Sequence, residues 1–165
     1  SMGSIDKARV TVTAIKSLNK ILGNGSYKIK ILIVLGNKSP LKVHVRSLTG
    51  SVKDYEILIN PDDMRVLYLK SSLAIGAPGQ SHLERMVFGL PTILVSQNKL
   101  HRPIISEWER LGCGIQSDNT VSSLYKNICF LLSNRAILKK MRKSSKMIVD
   151  GLGASRVAST MSRMI

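Results

Sequence analysis

The sequence predicts an α/β fold, a Rossmann-like three-layer arrangement in which a parallel sheet lies between two layers of helices. Three observations predict it. Short aliphatic runs alternate with helical patterns along most of the 165 residues, the alternation that builds βαβ units. Runs such as Ile31-Leu32-Ile33-Val34-Leu35 are continuously apolar, as strands covered on both faces are. Glycine-bearing turns follow several of these runs, at the carboxyl ends where open parallel sheets hold their ligands.

The elements follow in order. Between Asp6 and Leu22, Val10, Ala14, Leu18, Ile21 and Leu22 recur at the helical period, and Gly23-Asn24-Gly25 stops the run. Lys28 to Leu35 reads as a strand bounded by Gly25-Ser26 and Gly36-Asn37, and Pro40 to Leu48 as a short helix. Tyr55 to Ile59 is a second strand. Asn60-Pro61-Asp62 then starts a helix that runs to about Lys70, with proline at an early position and acid in the first turn. Leu73 to Gly76 is a third strand, and Ala77-Pro78-Gly79 leads into a helix from Gln80 to Phe88 that Gly89 closes. Pro91 to Val95 is a fourth strand, Pro103 to Leu111 a helix, and Gly112-Cys113-Gly114-Ile115 the stub of a fifth strand. The rest is helical, over Val121 to Leu132, Arg135 to Val149 and a last segment after Gly151-Leu152-Gly153.

A chain of this length is expected to form a single domain over residues 1–165 with a substantial core. Hydrophobic residues at 44% and charged residues at 21% exclude a disordered tail. Twenty-five Lys and Arg against ten Asp and Glu leave a charge of +15, which favours anionic partners: nucleic acid, anionic lipid or a phosphorylated small molecule. Nucleic acid is disfavoured, because the seven aromatic residues do not interleave with the basic ones as stacking platforms do. No apolar run approaches the ~20 residues of a bilayer span and no signal-peptide pattern opens the chain, so a soluble, cytoplasmic protein is expected. Cys113 and Cys129 form no Cys-x-x-Cys and are expected to be reduced and buried. His44, His82 and His101 are scattered, so no metal site and no cofactor are expected.

Among the loops that follow strands, Gly76-Ala77-Pro78-Gly79-Gln80-Ser81 stands out. Its two glycines let backbone approach a phosphate, whose charge the N-terminus of the next helix favours. An ordinary βα turn that needs glycine for its dihedral angles is the competing reading. Ser81 and Glu84 have capping-box spacing. Equally, a carboxylate one turn into a phosphate-binding helix suits the hydroxyls of a ribose.

The stretch from Leu73 to Thr92, LAIGAPGQSHLERMVFGLPT, resembles the G-x-G-G-x-S/T-x-W-E-R-x-x-x-G-L-P signature of the UDP-sugar hydrolase of pseudaminic-acid biosynthesis and its spore-coat polysaccharide relatives. It is similar, more distantly, to the C-terminal domain of the peptidoglycan N-acetylglucosaminyltransferase. Ser1-Met2-Gly3-Ser4-Ile5-Asp6 resembles that family's S-M/F-G-G-x-D loop, Asp63-Met64 its D/N-M, and Asp150 to Val157 its D-G-x-G-A-x-R-V. The order is kept over almost the whole chain. Departures are Ser4 for the second glycine, Pro78 for a loop glycine, Leu83 for the tryptophan before Glu84, and Gln97-Asn98 for the reverse pair.

The resemblance implies the C-terminal half of the two-domain GT-B architecture, with UDP or a UDP-sugar as partner and an absent N-terminal half, in the same chain or another, carrying the catalytic histidine. No catalytic residue is therefore assigned here. It implies Gly3, Ser4, Gly79, Gln80 and Ser81 at the diphosphate, Glu84 on the ribose, the loop from Asn60 to Met64 against the uracil, and Gln97 and Asn98 on the sugar side; Gly76 joins the nucleotide site through the glycine turn, and His101 is a substrate-side candidate from its place in the loop after the fourth strand. The function implied is that of a UDP-sugar-binding domain in an enzyme hydrolysing a UDP-linked amino-deoxy sugar. A nucleotide-sugar-dependent glycosyltransferase keeps the same fold, and a basic module binding nucleic acid or a membrane surface is the third possibility.

Other polar and large residues take plainer expectations. His82 reads as a surface or capping histidine, Arg85 as solvated or salt-bridged, and Arg102 as a loop residue on the ligand side. Trp108, Met141 and Met147 read as packing residues; Met161 and Met164 pack or meet a partner domain. Residues 134–165 hold eight Lys and Arg against Asp150 alone, either a solvated face or a surface attracting anions.

Overall fold

The computed structural model describes residues 2, 6–50 and 52–164. Its elements are α1 (Val10–Gly23), β1 (Ile31–Leu35), α2 (Lys42–Thr49), β2 (Tyr55–Ile59), α3 (Met64–Lys70), β3 (Ala74–Gly76), α4 (Gln80–Val87), β4 (Thr92–Val95), α5 (His101–Arg110), β5 (Ile115–Ser117), α6 (Val121–Ser133), α7 (Arg135–Ile148) and α8 (Gly153–Ser162).

Several boundaries differ from the sequence expectation, two of them for identifiable reasons. The first helix begins at Val10, because the buried Asp6 carboxylate lies outside it and accepts from the amides of Val10 at 2.9 Å and Thr11 at 2.7 Å. A carboxylate there both caps orphan N–H groups and complements the helix dipole. The third helix begins at Met64, capped by Asp63 accepting from the Arg65 amide at 2.8 Å. Pro61 is not in its first turn, because Asn60 takes a positive φ of 45° and turns the chain before the helix can start.

All strand pairings among the described residues are parallel. β1 runs beside β2, Ile31 opposite Tyr55 through Leu35 opposite Ile59. A second sheet has the order β3-β4-β5, with Ala74 opposite Thr92 and Ile93 opposite Ile115. The described strands thus form two small sheets where one was expected. In doubly wound folds the strand order reverses where the chain crosses between halves. Here the chain crosses from the β1–β2 pair to the β3–β4–β5 set through α3.

One helix ties the sheets together. Val10, Ala14 and Ile21 of α1 pack with Ile93, Val95, Leu124, Ile128, Leu131 and Met141. Val12 and Ile15 of the same helix pack with Ile33, Leu35, Leu41 and Val45. Each such valine or isoleucine contributes about 1.5–3 kcal/mol on full burial, so α1 is loaded on two faces. All four residues of β4 are buried. Alternation along the strand sends Ile93 and Val95 toward α1 and α6 and leaves Thr92 and Leu94 for the opposite layer. Gly114 serves that opposite side: a Cβ there would lie 2.6 Å from a Leu94 methyl carbon.

Candidate functional site

The loop after β3 leads straight into α4. Gly79 is the N-cap residue, in extended conformation, with no side-chain cap; the His82 amide donates to its carbonyl at 2.7 Å. The first N–H groups of a helix have no acceptor within it, so this end carries donors and the positive end of the dipole. Gly79 and Gln80 are exposed and Ser81 is half-buried. Nothing lies within 4 Å of where a Gly79 Cβ would stand, so backbone is open to a ligand there.

The Ser81–Glu84 capping box is not formed. Ser81 is the second helical residue, because Gly79 lets the helix start at Gln80. The exposed Glu84 carboxylate instead accepts from the buried Tyr68 hydroxyl of α3 at 2.8 Å. Burial, together with that bond, pushes the Tyr68 phenol above its ordinary range, so it stays a donor across physiological pH. Tyr68 fixes one carboxylate oxygen of Glu84 from an element that sequence spacing does not connect with it.

Two α4 residues depart from expectation. Arg85 is among the most deeply buried side chains in the protein. Its Nη2 donates to the Ala77 carbonyl at 2.7 Å, while Nε and Nη1 have no hydrogen-bond partner. A Cβ on Gly76 would stand 2.6 Å from the guanidinium nitrogens, so the missing side chain of this buried glycine makes room for the arginine. His82 is completely buried, edge-on to Trp108 with ring centroids 5.6 Å apart, and both its ring nitrogens lack partners. Burial, aided by the Arg85 charge, depresses its pKa to about 3, so the ring is neutral. The physical reason is periodicity. His82, Arg85 and Met86 occupy one inward face at i, i+3 and i+4, a pattern visible in the sequence once Met86 is taken as core.

The other expected residues are placed as follows. Gly3 and Ser4 lie outside the described residues. Asn60 is exposed after β2, its amide donating to the Leu35 carbonyl at 2.8 Å, and Met64 is half-buried at the start of α3. Gln97 donates from Nε2 to the Met2 carbonyl at 2.7 Å, which joins the loop after β4 to the start of the chain. His101 opens α5; its Nδ1 accepts from the Gln97 amide at 3.3 Å, and its own amide donates to Asn98 Oδ1 at 3.2 Å. A polar cleft of about 310 Å³ lies at the carboxyl ends of β4 and β5, lined by Gln97, Asn98, Lys99, Arg102, Asp118 and neighbouring residues. His101 is not among its lining residues, being committed to the helix start. Asp118, Lys99 and the Gln116–Asn119 side of the cleft were not singled out in the sequence.

Among the methionines, Met141 is buried, whereas Met147, Met161 and Met164 are exposed, so Met147 is not a packing residue. Cys113 is buried and Cys129 half-buried, both as free thiols. The basic α7 face is partly structural: the aliphatic stems of Arg142 and Lys146 cover Gly89, where a Cβ would meet them at 2.9 Å.

A parallel α/β unit with a glycine turn opening α4 at the sheet's carboxyl edge is the Rossmann-like fold of GT-B proteins, and solved structures bear this out. The chain superposes on a UDP-N-acetylglucosamine 2-epimerase with a TM-score of 0.72 at 16% identity, covering 90% of this chain and 39% of that one. It superposes on Acinetobacter baumannii MurG with a TM-score of 0.74 at 14% identity, covering 99% of this chain and 48% of that one. With the S. aureus MnaA–UDP co-structure the TM-score is 0.69 at 16% identity, covering 90% of this chain and 42% of that one. The chain therefore spans less than half the length of these neighbours. No protein-family model and no curated protein matches the sequence. No helix among the described residues is long and apolar enough to cross a membrane.

Proposed function

We propose that residues 1–165 form the nucleotide-sugar-binding half of a GT-B enzyme, holding UDP at the start of α4. The observation that carries this reading is the pairing of an open Gly79–Gln80 turn with the exposed, Tyr68-held carboxylate of Glu84 one turn later. Diphosphate oxygens accept from the free N–H groups at the turn, and Glu84 accepts from the ribose hydroxyls. The resemblance of the opening residues assigns Gly3 and Ser4 to the diphosphate, the Asn60–Met64 segment is assigned to the uracil, and Gln97 and Asn98 in the polar cleft to the sugar. His101 supports that side by positioning Gln97 and Asn98.

The reaction proposed is displacement at the sugar carbon by water, with UDP as leaving group and its charge stabilised by backbone donors and the helix dipole. A facing half, in the same chain or a separate one, supplies the group that activates water. The resemblance of Leu73 to Thr92 to the hydrolase signature supports an amino-deoxy sugar as substrate. A glycosyltransferase, with an acceptor hydroxyl in place of water, is the second reading. It is favoured by the likeness to WaaG, a glycosyltransferase of lipopolysaccharide biosynthesis, at a TM-score of 0.62 and 14% identity.

Calorimetric titration tests the binding claim. UDP is expected to bind and to raise the melting temperature. Single-stranded DNA binding with a steep salt slope, and no response to UDP, would replace the proposal with the basic-module reading. Glu84→Ala is expected to weaken UDP about tenfold, the worth of a charge-assisted bond, and to leave inorganic pyrophosphate unaffected. Equal losses for the two ligands would remove Glu84 from the ribose.

A further inference from the structure

Arg85 is 1% exposed, yet among the described residues no carboxylate forms an ion pair with it. Glu84, the adjacent acid, favours the charge from a distance but gives its carboxylate to the Tyr68 hydroxyl rather than to the guanidinium. Burial draws the guanidinium down to about 10, which still leaves it cationic at neutral pH. An unpaired buried charge is strongly destabilising, and proteins keep one where something else supplies the counter-charge.

Its location shows where that counter-charge would sit. The guanidinium lies against Gly76 and binds the Ala77 carbonyl, inside the loop whose outer side, Gly79 and Gln80, is exposed at the start of the eight-residue α4. Two positive features therefore converge on one loop: the partnerless N–H groups of a helix start on the outside and a buried cation with two unpartnered nitrogen positions beneath. The Arg85–Ala77 bond also holds inward a carbonyl oxygen that would repel an anion on the loop's outer face.

We infer that Arg85 is the buried positioning cation of an anion site at the Gly76–Gln80 loop, shaping the loop and supplying its field without touching the ligand. The ligand class is a diphosphate, an assignment that rests on the nucleotide-sugar reading above. Gly76 belongs to the same device, since any side chain there would displace the guanidinium.

The test is calorimetric titration of the full chain and its Arg85→Met, Arg85→Lys and Gly76→Ala variants with UDP, uridine and inorganic pyrophosphate, with thermal unfolding of each apo protein alongside. Arg85→Met is expected to lose about tenfold for UDP and pyrophosphate while uridine is unchanged. Arg85→Lys is expected to restore most of that loss. The apo melting temperature of Arg85→Met is expected to match or exceed that of the parent, because an unpaired charge has gone. Equal losses for uridine and UDP would reduce Arg85 to a structural role, and unchanged pyrophosphate binding would overturn the inference. If Arg85→Met does not fold, Gly76→Ala carries the same comparison, and a uniform loss across the three ligands overturns it. A parent protein that binds pyrophosphate but neither UDP nor uridine would sink the nucleotide reading and leave the anion site standing. Binding of none of the three would overturn both.

Discussion

His82 shows how much a single residue's setting departs from its type. Its neutral, fully buried ring packs on Trp108 with a pKa near 3 against the ordinary 6.5. The folded pKa is depressed, so the unfolded chain takes up a proton first as pH falls. Stability from this group is complete above about pH 6.5 and is lost progressively from there toward pH 3, with a limiting slope of about 1.4 kcal/mol per pH unit. Urea unfolding at pH 7, 6, 5 and 4.5 is expected to show this loss, and His82→Phe, which keeps a ring against Trp108, is expected to flatten it. An unchanged slope in that variant would place the acid sensitivity elsewhere. Gly76 and Arg85 offer a second residue-scale prediction. Gly76→Ala is expected to destabilise the parent and to be nearly neutral in the Arg85→Met background, a coupling that a double-mutant cycle measures directly. Additive effects would mean that the guanidinium does not occupy the space the glycine leaves.

Elements depend on their ends and on what they share. Asp6 accepts two amides at the start of α1, and α1 feeds both hydrophobic clusters. Asp6→Ala is expected to cost about 1–2 kcal/mol, as a lost N-cap does, read as a fall in the urea midpoint at unchanged m-value. A changed m-value would instead mean that the two clusters unfold separately. The same end explains a misread boundary: periodicity alone takes Asp6 into the helix, while the side chain's bonds place it outside. β2 reads identically in sequence and structure, because Tyr55 to Ile59 is a β-prone run broken only by Glu56, with clear turn residues on both sides. The α3 start does not, because the positive φ at Asn60 is a local conformational choice that Asn60-Pro61 does not announce.

At the scale of the whole molecule, the +15 charge no longer points to nucleic acid by itself. The anion-binding elements proposed are backbone donors and a buried arginine, while Arg142 and Lys146 cover Gly89 with their stems and Arg156 pairs with Asp150 at 2.6 Å. Salt screens exposed charges far more than buried ones. UDP affinity is therefore expected to change only slightly between 50 mM and 500 mM salt by calorimetry, on the order of a few-fold. A steep decline would assign the binding to the exposed lysines of α7 instead.

Apolar periodicity and turn residues are local properties, so the alternation of five parallel strands with helices, the glycine turn after the third strand and the acid one turn beyond it are legible in the amino-acid order alone. That Arg85 and His82 point inward, that Tyr68 rather than Ser81 holds Glu84, and that α1 joins two small sheets emerges from packing alone. Those outcomes depend on which distant segments surround a side chain. A helical pattern fixes the angular position of Arg85, but whether that angle meets water or the underside of a glycine loop is settled by how α4 packs against β3.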